Sequence, residues 1–260
     1  MSMLKIFIRK HYSFLLISLS LITLILVWWV LSLFFRPEFL PNPILVFKDA
    51  WSIFVSGQFL SHMYYTLLRI VCGFALSMLI SIALGVAMGS SKYAEKFFEA
   101  EILVGLTIPA LAWAVISIMW FGLKDFAAIF AITVLITPVI TLNVVQGMKN
   151  LDKGLLEMAK TFEANRALVI RSIIIPQLLP YLFAATRFGL GLAWKTVAIV
   201  EMLGLSNGIG YMIAFWFGMF SMKDVLAWTL TFTLVMLMFE YGLLGRLEKW
   251  ATRWRPAISF

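Results

Sequence analysis

Six stretches of this chain stay apolar for about twenty residues: 14–35, 66–89, 102–122, 126–147, 181–203 and 225–246. A helix rising ~1.5 Å per residue needs ~20 such residues to cross the ~30 Å hydrocarbon core of a bilayer. Six runs of that length constrain the fold more than any other feature. Composition agrees: 62% of residues are hydrophobic and 13% charged, about half the ~25% charged of an ordinary soluble domain. A soluble enzyme, a disordered regulator and a disulfide scaffold are excluded. The expected fold is an all-α integral membrane protein with about six transmembrane helices. The one cysteine, Cys72, allows no internal disulfide and no thiolate metal site, and reads as a small buried hydrophobe.

The first run follows Lys5, Arg9 and Lys10. It is longer than the 7–15 residues of a signal-peptide core, and no small-x-small cleavage pattern follows, so a retained helix is expected. Placing the N-terminus inside gives six crossings and both ends in the cytoplasm. The proposed inside segments then hold fourteen of the 21 Lys and Arg, and the outside segments hold Arg36, Lys48, Lys124 and Lys223. That is the positive-inside pattern. It accounts for the net charge of +8 by topology, without nucleic acid.

Three stretches are not expected to span. Residues 36–65 open with Pro37, Pro41 and Pro43 and carry a helix from Ile44 to Phe59. Residues 207–220 are apolar but too short, and suit a re-entrant or interfacial segment. Residues 148–180 form the longest inside loop. There Leu151, Leu155, Ala159 and Phe162 recur at helical spacing, and Ile170, Ile173 and Ile174 make a second apolar set. Pro176 is expected to cut that second helix, and Pro180 to open the next span. Two amphipathic helices outside the membrane must bury their apolar faces on something, which marks a docking element.

This loop resembles the cytoplasmic signature of the inner-membrane permeases of bacterial ABC importers: Glu-Ala-Ala, three residues, Gly, nine residues, Ile, one residue, Leu-Pro. Here it reads Glu157-Met158-Ala159, Glu163, Ile173 and Ile175-Pro176, with every offset kept. Glu163 for Gly is the one serious departure. The stretches 108–122, 189–204, 208–213 and 245–256 also resemble the branch importing nitrate, sulfonates, taurine and bicarbonate.

The resemblance implies a non-catalytic transport subunit with a type I importer fold. It implies a basic cytoplasmic segment at 1–13, a single permease domain at 14–246 that includes the coupling loop 148–180, and a basic cytoplasmic tail at 247–260. It implies a homodimer, two copies of a cytoplasmic ATPase, and a periplasmic or lipid-anchored substrate-binding protein, in the bacterial inner membrane among its lipids. ATP and Mg would act on the ATPase, with no cofactor, metal or catalytic residue here. ATPase coupling would fall on Glu157, Met158, Ala159, Phe162, Glu163, Ala164, Arg166, Ile173 and Pro176. No Gly-Lys dipeptide occurs in the chain, so it carries no P-loop. For Glu163, one expectation keeps the helix running through it, paired with Lys160 or Arg166, and Asn165 or a neighbour taking the turn. Another is a basic contact on the ATPase; a third is tolerated drift.

Ionisable residues at membrane depth are costly and point to function. Arg69, Arg187, Lys195, Glu201 and Glu240 fall in the spans. Lys195, Glu201 and Trp113 are candidates for the substrate pathway, where Lys195 would ease passage of a small anion; the plain alternative pairs Lys195 with Glu201 or Glu240. Gly85 and Gly89 suit close helix packing, and Pro109 and Pro138 suit kinks. Gly204-Leu205-Ser206-Asn207-Gly208 matches a hydrolase nucleophile pattern, but that pattern needs a strand-turn-helix setting. The rival class is a self-contained secondary transporter or channel coupled through Lys195 and Glu201. It would favour an inverted repeat, and the two halves show no convincing self-similarity.

Overall fold

The structure is a computed structural model that describes residues 3–246. The described residues form helices α1 (Met3–Ser32), α2 (Pro43–Val55), α3 (Gln58–Ser90), α4 (Lys92–Thr107), α5 (Ala110–Phe121), α6 (Asp125–Lys149), α7 (Lys153–Thr161) and α8 (Arg166–Val169). A π-helical turn (Ile170–Ile174) leads into α9 (Ile175–Gly204), followed by α10 (Ile209–Gly218), α11 (Met222–Leu237) and a second π-helical segment (Met238–Leu244). Five helices are long and apolar enough to cross a membrane: Leu15–Ser32, Gln58–Ser90, Asp125–Lys149, Arg166–Gly204 and Met222–Gly242. The pair α4 and α5 makes a sixth if counted as one broken span. The tail 247–260 lies outside the described residues, with most of the 245–256 stretch.

The expected third span, 102–122, is interrupted at Pro109, where a kink was expected, but far more sharply than a kink. Its helix stops at Thr107, resumes at Ala110 and bends by 98°. Ile108 precedes a proline, whose ring disfavours helical backbone in the residue before it. Ile108 is accordingly extended, at φ −70 and ψ 124. Pro138, in contrast, sits inside an unbroken α6. Beside it Thr137 Oγ1 donates to the Thr133 carbonyl at 2.6 Å, and Ser81 Oγ of α3 donates to the Thr137 carbonyl at 3.0 Å.

The described residues pack as two compact units. One comprises residues up to Phe59 with Ile213–Thr231. Its core is Val46, Ala50 and Ala227, with Trp28, Ile53, Leu226 and Leu230 packed around them. Asn42 caps α2 by accepting the Ile44 N–H at 2.9 Å, with Pro43 in the first turn. Lys223 pairs with Asp49 at 2.8 Å. No residue of Leu15–Ser32 is buried in this chain.

The other unit comprises Leu60–Met212 and the residues from Phe232 onward. Its centre is α6, buried along much of its length and packed on α3, α5 and α9. Small residues permit the close approach of α3. A Cβ on Gly85 would lie 2.5 Å from Val144 Cβ, and one on Gly73 would lie 2.8 Å from Ile132 Cβ. Thr133 Oγ1 donates to the Gly73 carbonyl at 3.1 Å across the same contact. Gly85→Val should overpack this seam and cost about 1–3 kcal/mol. A lowered thermal midpoint in detergent checks it, and an unchanged midpoint would contradict the seam. Cys72, expected to be buried, is exposed on α3. A membrane helix keeps apolar residues on its outer face too, so an apolar neighbourhood does not imply burial there.

Candidate functional site

Loop 148–180 holds the predicted amphipathic pair. Asp152 caps α7, its carboxylate accepting the Gly154 N–H at 2.8 Å and the Leu155 N–H at 3.2 Å. Asn165 caps α8 by accepting the Leu168 N–H at 2.8 Å. Between the helices lies an apolar groove of about 370 Å³ lined by Leu155, Met158, Ala159, Phe162, Leu168 and Ile173, with Ala164 and Val169 beside them. Ala159 is buried on its floor; Phe162, on the rim, is 78% exposed. Glu157, Glu163 and Arg166 are exposed around it. The groove is tied to the membrane helices. The Asp152 N–H donates to Gln177 Oε1 on α9 at 2.8 Å. Gly147 near the end of α6 closes on Leu178 and Tyr181 of α9.

Two expectations for this loop are corrected. Pro176 does not cut the second helix: backbone stays helical from Arg166 through the π-helical turn into α9. The wide turn lies immediately before Pro176, where the missing N–H and the ring must be accommodated. Nor does the helix run through Glu163. That residue itself takes the turn, at φ +51. The Glu163 N–H donates to the Lys160 carbonyl at 3.1 Å and the Ala164 N–H to the Ala159 carbonyl at 2.9 Å, a glycine-style helix stop built on glutamate. Glu163 makes no ion pair with Lys160 or Arg166. A non-glycine in this region costs about 1–2 kcal/mol, partly offset because glycine loosens the unfolded chain. Glu163→Gly should leave stability unchanged or raise it by up to about 1 kcal/mol, and Glu163→Val should lower it. Hydrogen exchange at the Ala164 amide reads both.

At the opposite end of α3, α6 and α9 sits a buried charge network. Arg69, 1% exposed, donates from Nε to Asp125 Oδ1 at 2.8 Å and from Nη1 to Glu201 Oε1 at 2.7 Å. Nη1 also reaches the Asn207 carbonyl at 2.9 Å, and Nη2 bonds Asn207 Oδ1. Glu201, also 1% exposed, accepts from Thr66 Oγ1 at 2.8 Å and from the Gly210 N–H at 2.8 Å. Thr66 in turn accepts the Ile209 N–H at 2.9 Å, and His62 Nδ1 accepts the Gly208 N–H at 3.2 Å. The start of α10 is thus satisfied by side chains of α3 and α9, with a carboxylate at its positive end. Gly208, at φ +112, and Gly210 are required here, since a Cβ on either would run into Glu201. Ser206 sits exposed in a loop between two helices, which is not the setting of a hydrolase nucleophile.

The three pathway candidates are not brought together. Glu201 faces Arg69, so the pairing with Lys195 does not form. Lys195 is exposed, on the face of α9 away from α6, in a cavity of about 490 Å³ lined by Phe183, Arg187, Phe188, Gly191 and Glu240. Trp113 lines a different cavity, of about 540 Å³, with Phe98, Gly105, Thr133, Thr137 and Pro138. Its indole N–H is buried without a partner among the described residues. Arg69 was marked in the sequence only as a charge within a span, and Asp125, which it bonds, is the participant that sequence reasoning left out. Their signal was an arginine inside an apolar run and an aspartate at the head of another.

Comparison with known proteins joins these features. Residues 77–247 match the family described as binding-protein-dependent transport system inner membrane component. The chain is 26% identical over 247 residues to the taurine transport system permease protein TauC of Escherichia coli K12, covering 92% of this chain and 90% of that one. It is 30% identical over 197 residues to the nitrate import permease protein NrtB of Synechococcus elongatus, covering 72% and 71%. A solved structure of the MetNI methionine ABC transporter in an inward-facing conformation shares the fold, with a TM-score of 0.64 at 19% identity, over 73% of this chain and 94% of that one. The matched segment contains the capped groove, the glycine-bound loop, α6, α9 and the later half of α3, and the chain belongs to the binding-protein-dependent transport inner membrane components, the permease subunits of ABC importers.

Proposed function

We propose that this chain forms, as a homodimer, the translocation pathway of an importer for a small anionic solute such as a sulfonate, taurine, nitrate or bicarbonate. Each copy engages one cytoplasmic ATPase through the α7–α8 groove, with ATP and Mg held by that partner. A periplasmic or lipid-anchored binding protein delivers the solute, and both termini lie in the cytoplasm. This chain supplies no catalytic group. The observation that carries the reading is the groove itself: an exposed apolar slot on a loop hydrogen-bonded to α9 at Gln177, next to where Gly147 of α6 packs on α9. Exposed apolar slots of this kind receive a partner's side chains. The acidic and basic residues around it, Glu157, Glu163 and Arg166, set partner choice more than affinity.

Met158, Ala159, Ile173 and Ala164 shape the slot, and Pro176 marks the turn that joins it to α9. Lys195 and Trp113 are assigned to walls of the pathway; Glu201 keeps the loop before α10 in place. In proteoliposomes holding the assembled importer, uptake should require ATP on the loop side and binding protein on the other. Uptake that proceeds without ATP would overturn the proposal and favour a self-contained transporter.

A further inference from the structure

Helix α2 is apolar around roughly half of its circumference but buried along only part of that half. Pro43, Val46, Ala50 and Ile53 form one arc, turned into the core of the unit. At about 100° per residue, Ile44, Phe47, Trp51, Phe54 and Val55 fall on the adjoining arc. All five are exposed, Ile44 and Trp51 by 69% each. The stacked rings of Trp51 and Phe54, 6.4 Å apart, lie on this arc. The remaining side holds Leu45, Lys48, Asp49 and Ser52. Asp49 is held by Lys223, and Lys48 stands exposed beside the apolar arc.

Packing sets the depth of α2. Trp28, which packs against its buried arc, lies four residues before the Ser32 end of α1. Leu226, packed against the same arc, lies four residues after the Met222 start of α11. Both ends are ends of apolar spans, and each contact is roughly 6 Å along the axis from its end. Helix α2 is therefore level with the last turns of two spans, where hydrocarbon gives way to headgroups. With 13 residues it is roughly 20 Å long and cannot cross the bilayer. Phe34, Phe35 and Phe39, in the connection from α1, are exposed at the same boundary, the level at which aromatic side chains gather in membrane proteins. No residue of Leu15–Ser32 is buried in this chain, so the exposed arc of α2 continues the lipid-facing surface of α1.

We infer that α2 is an interfacial helix whose outward arc rests in phospholipid, in the leaflet that the Ser32 end of α1 reaches. The rings of Phe47, Trp51 and Phe54 sit among the upper acyl chains, and Lys48 turns its ammonium toward headgroup phosphate. Five large apolar side chains side by side would be costly in water. A soluble partner would have to displace lipid from this arc each time it docked. The inference uses the apolar spans alone and stands apart from the solute and the ATPase.

The test is the surroundings of a nitroxide attached at position 51. The full-length chain, with the partners that purify with it, is placed in nanodiscs of phosphatidylethanolamine and phosphatidylglycerol. Cys72, the chain's own exposed thiol, is first replaced by alanine. Labels on Trp51→Cys and Ser52→Cys then report collisions with oxygen, which concentrates in lipid, and with a water-soluble nickel chelate. An apolar face sunk ~5–10 Å below the headgroups should give a ratio of oxygen to nickel collisions about fivefold or more higher at 51 than at 52. Ile44→Cys, on the same arc, should match position 51 and replaces it if Trp51→Cys lowers recovery. A label at 51 that meets nickel as freely as the label at 52 would place the arc in water. A label that is immobilised and shielded from both reagents would place protein on it, either a second copy or a binding protein. Either result overturns the inference. ATP-dependent uptake, which tests the permease reading, is measured separately and is decided by neither.

Discussion

Replacing Glu201 with Leu should destabilise the protein by about 3–5 kcal/mol, the cost of leaving a buried charge without its partner. Arg69 is 1% exposed, and its second carboxylate, Asp125, has a half-exposed side chain and cannot replace the buried bonds on Nη1. The Gly210 N–H and Thr66 hydroxyl lose their acceptor in the same step. Glu201→Gln should cost less, because an amide oxygen still accepts from Gly210. The double replacement of Arg69 by Met and Glu201 by Leu should cost less than the sum of the two single changes, since it removes both charges together. Unfolding in mixed detergent with increasing SDS gives all of these values. Additive losses would show that the two residues do not act as a pair.

That network also shows where sequence reasoning stops. Arg69 lies 56 residues from Asp125, 132 from Glu201 and 138 from Asn207. Each residue stands out as a polar group at the edge of an apolar run, but which one meets which depends on how α3, α6 and α9 pack. The spans themselves were legible, because hydrocarbon demands long apolar runs and leaves few alternatives. The interruption at Pro109 was legible as a kink; its size, a 98° bend with the helix stopped at Thr107, was not, since an apolar count is blind to backbone angles. The groove was legible for the opposite reason: helical spacing of apolar residues in a charged loop has no other use than burial. Of the alternatives for Glu163, the one that kept it helical fails: pairing with Lys160 and Arg166 favours helix on local grounds, whereas the stop needed a left-handed residue at that position whatever its side chain.

The second large effect concerns the groove. Phe162 is 78% exposed and caps no buried core, so Phe162→Asp should leave the fold within about 0.5 kcal/mol of the parent. An aromatic side chain that a docked partner covers completely carries about 2 kcal/mol or more, so, with Phe162 as that anchor, the same change should weaken ATPase attachment at least 30-fold. Glu157→Lys, on the same exposed rim, should also reduce attachment through charge reversal. Titrating purified ATPase against the detergent-solubilised permease measures the loss, with the thermal midpoint as control. A Phe162→Asp protein that binds ATPase normally would place the docking surface elsewhere.

The most direct test is extraction from native membranes in mild detergent, followed by mass spectrometry of whatever accompanies this chain. The importer reading predicts an accompanying chain that carries a P-loop, in one-to-one ratio with the permease, released by Phe162→Asp. A permease that leaves the membrane alone, and still moves solute in vesicles without ATP, would contradict it.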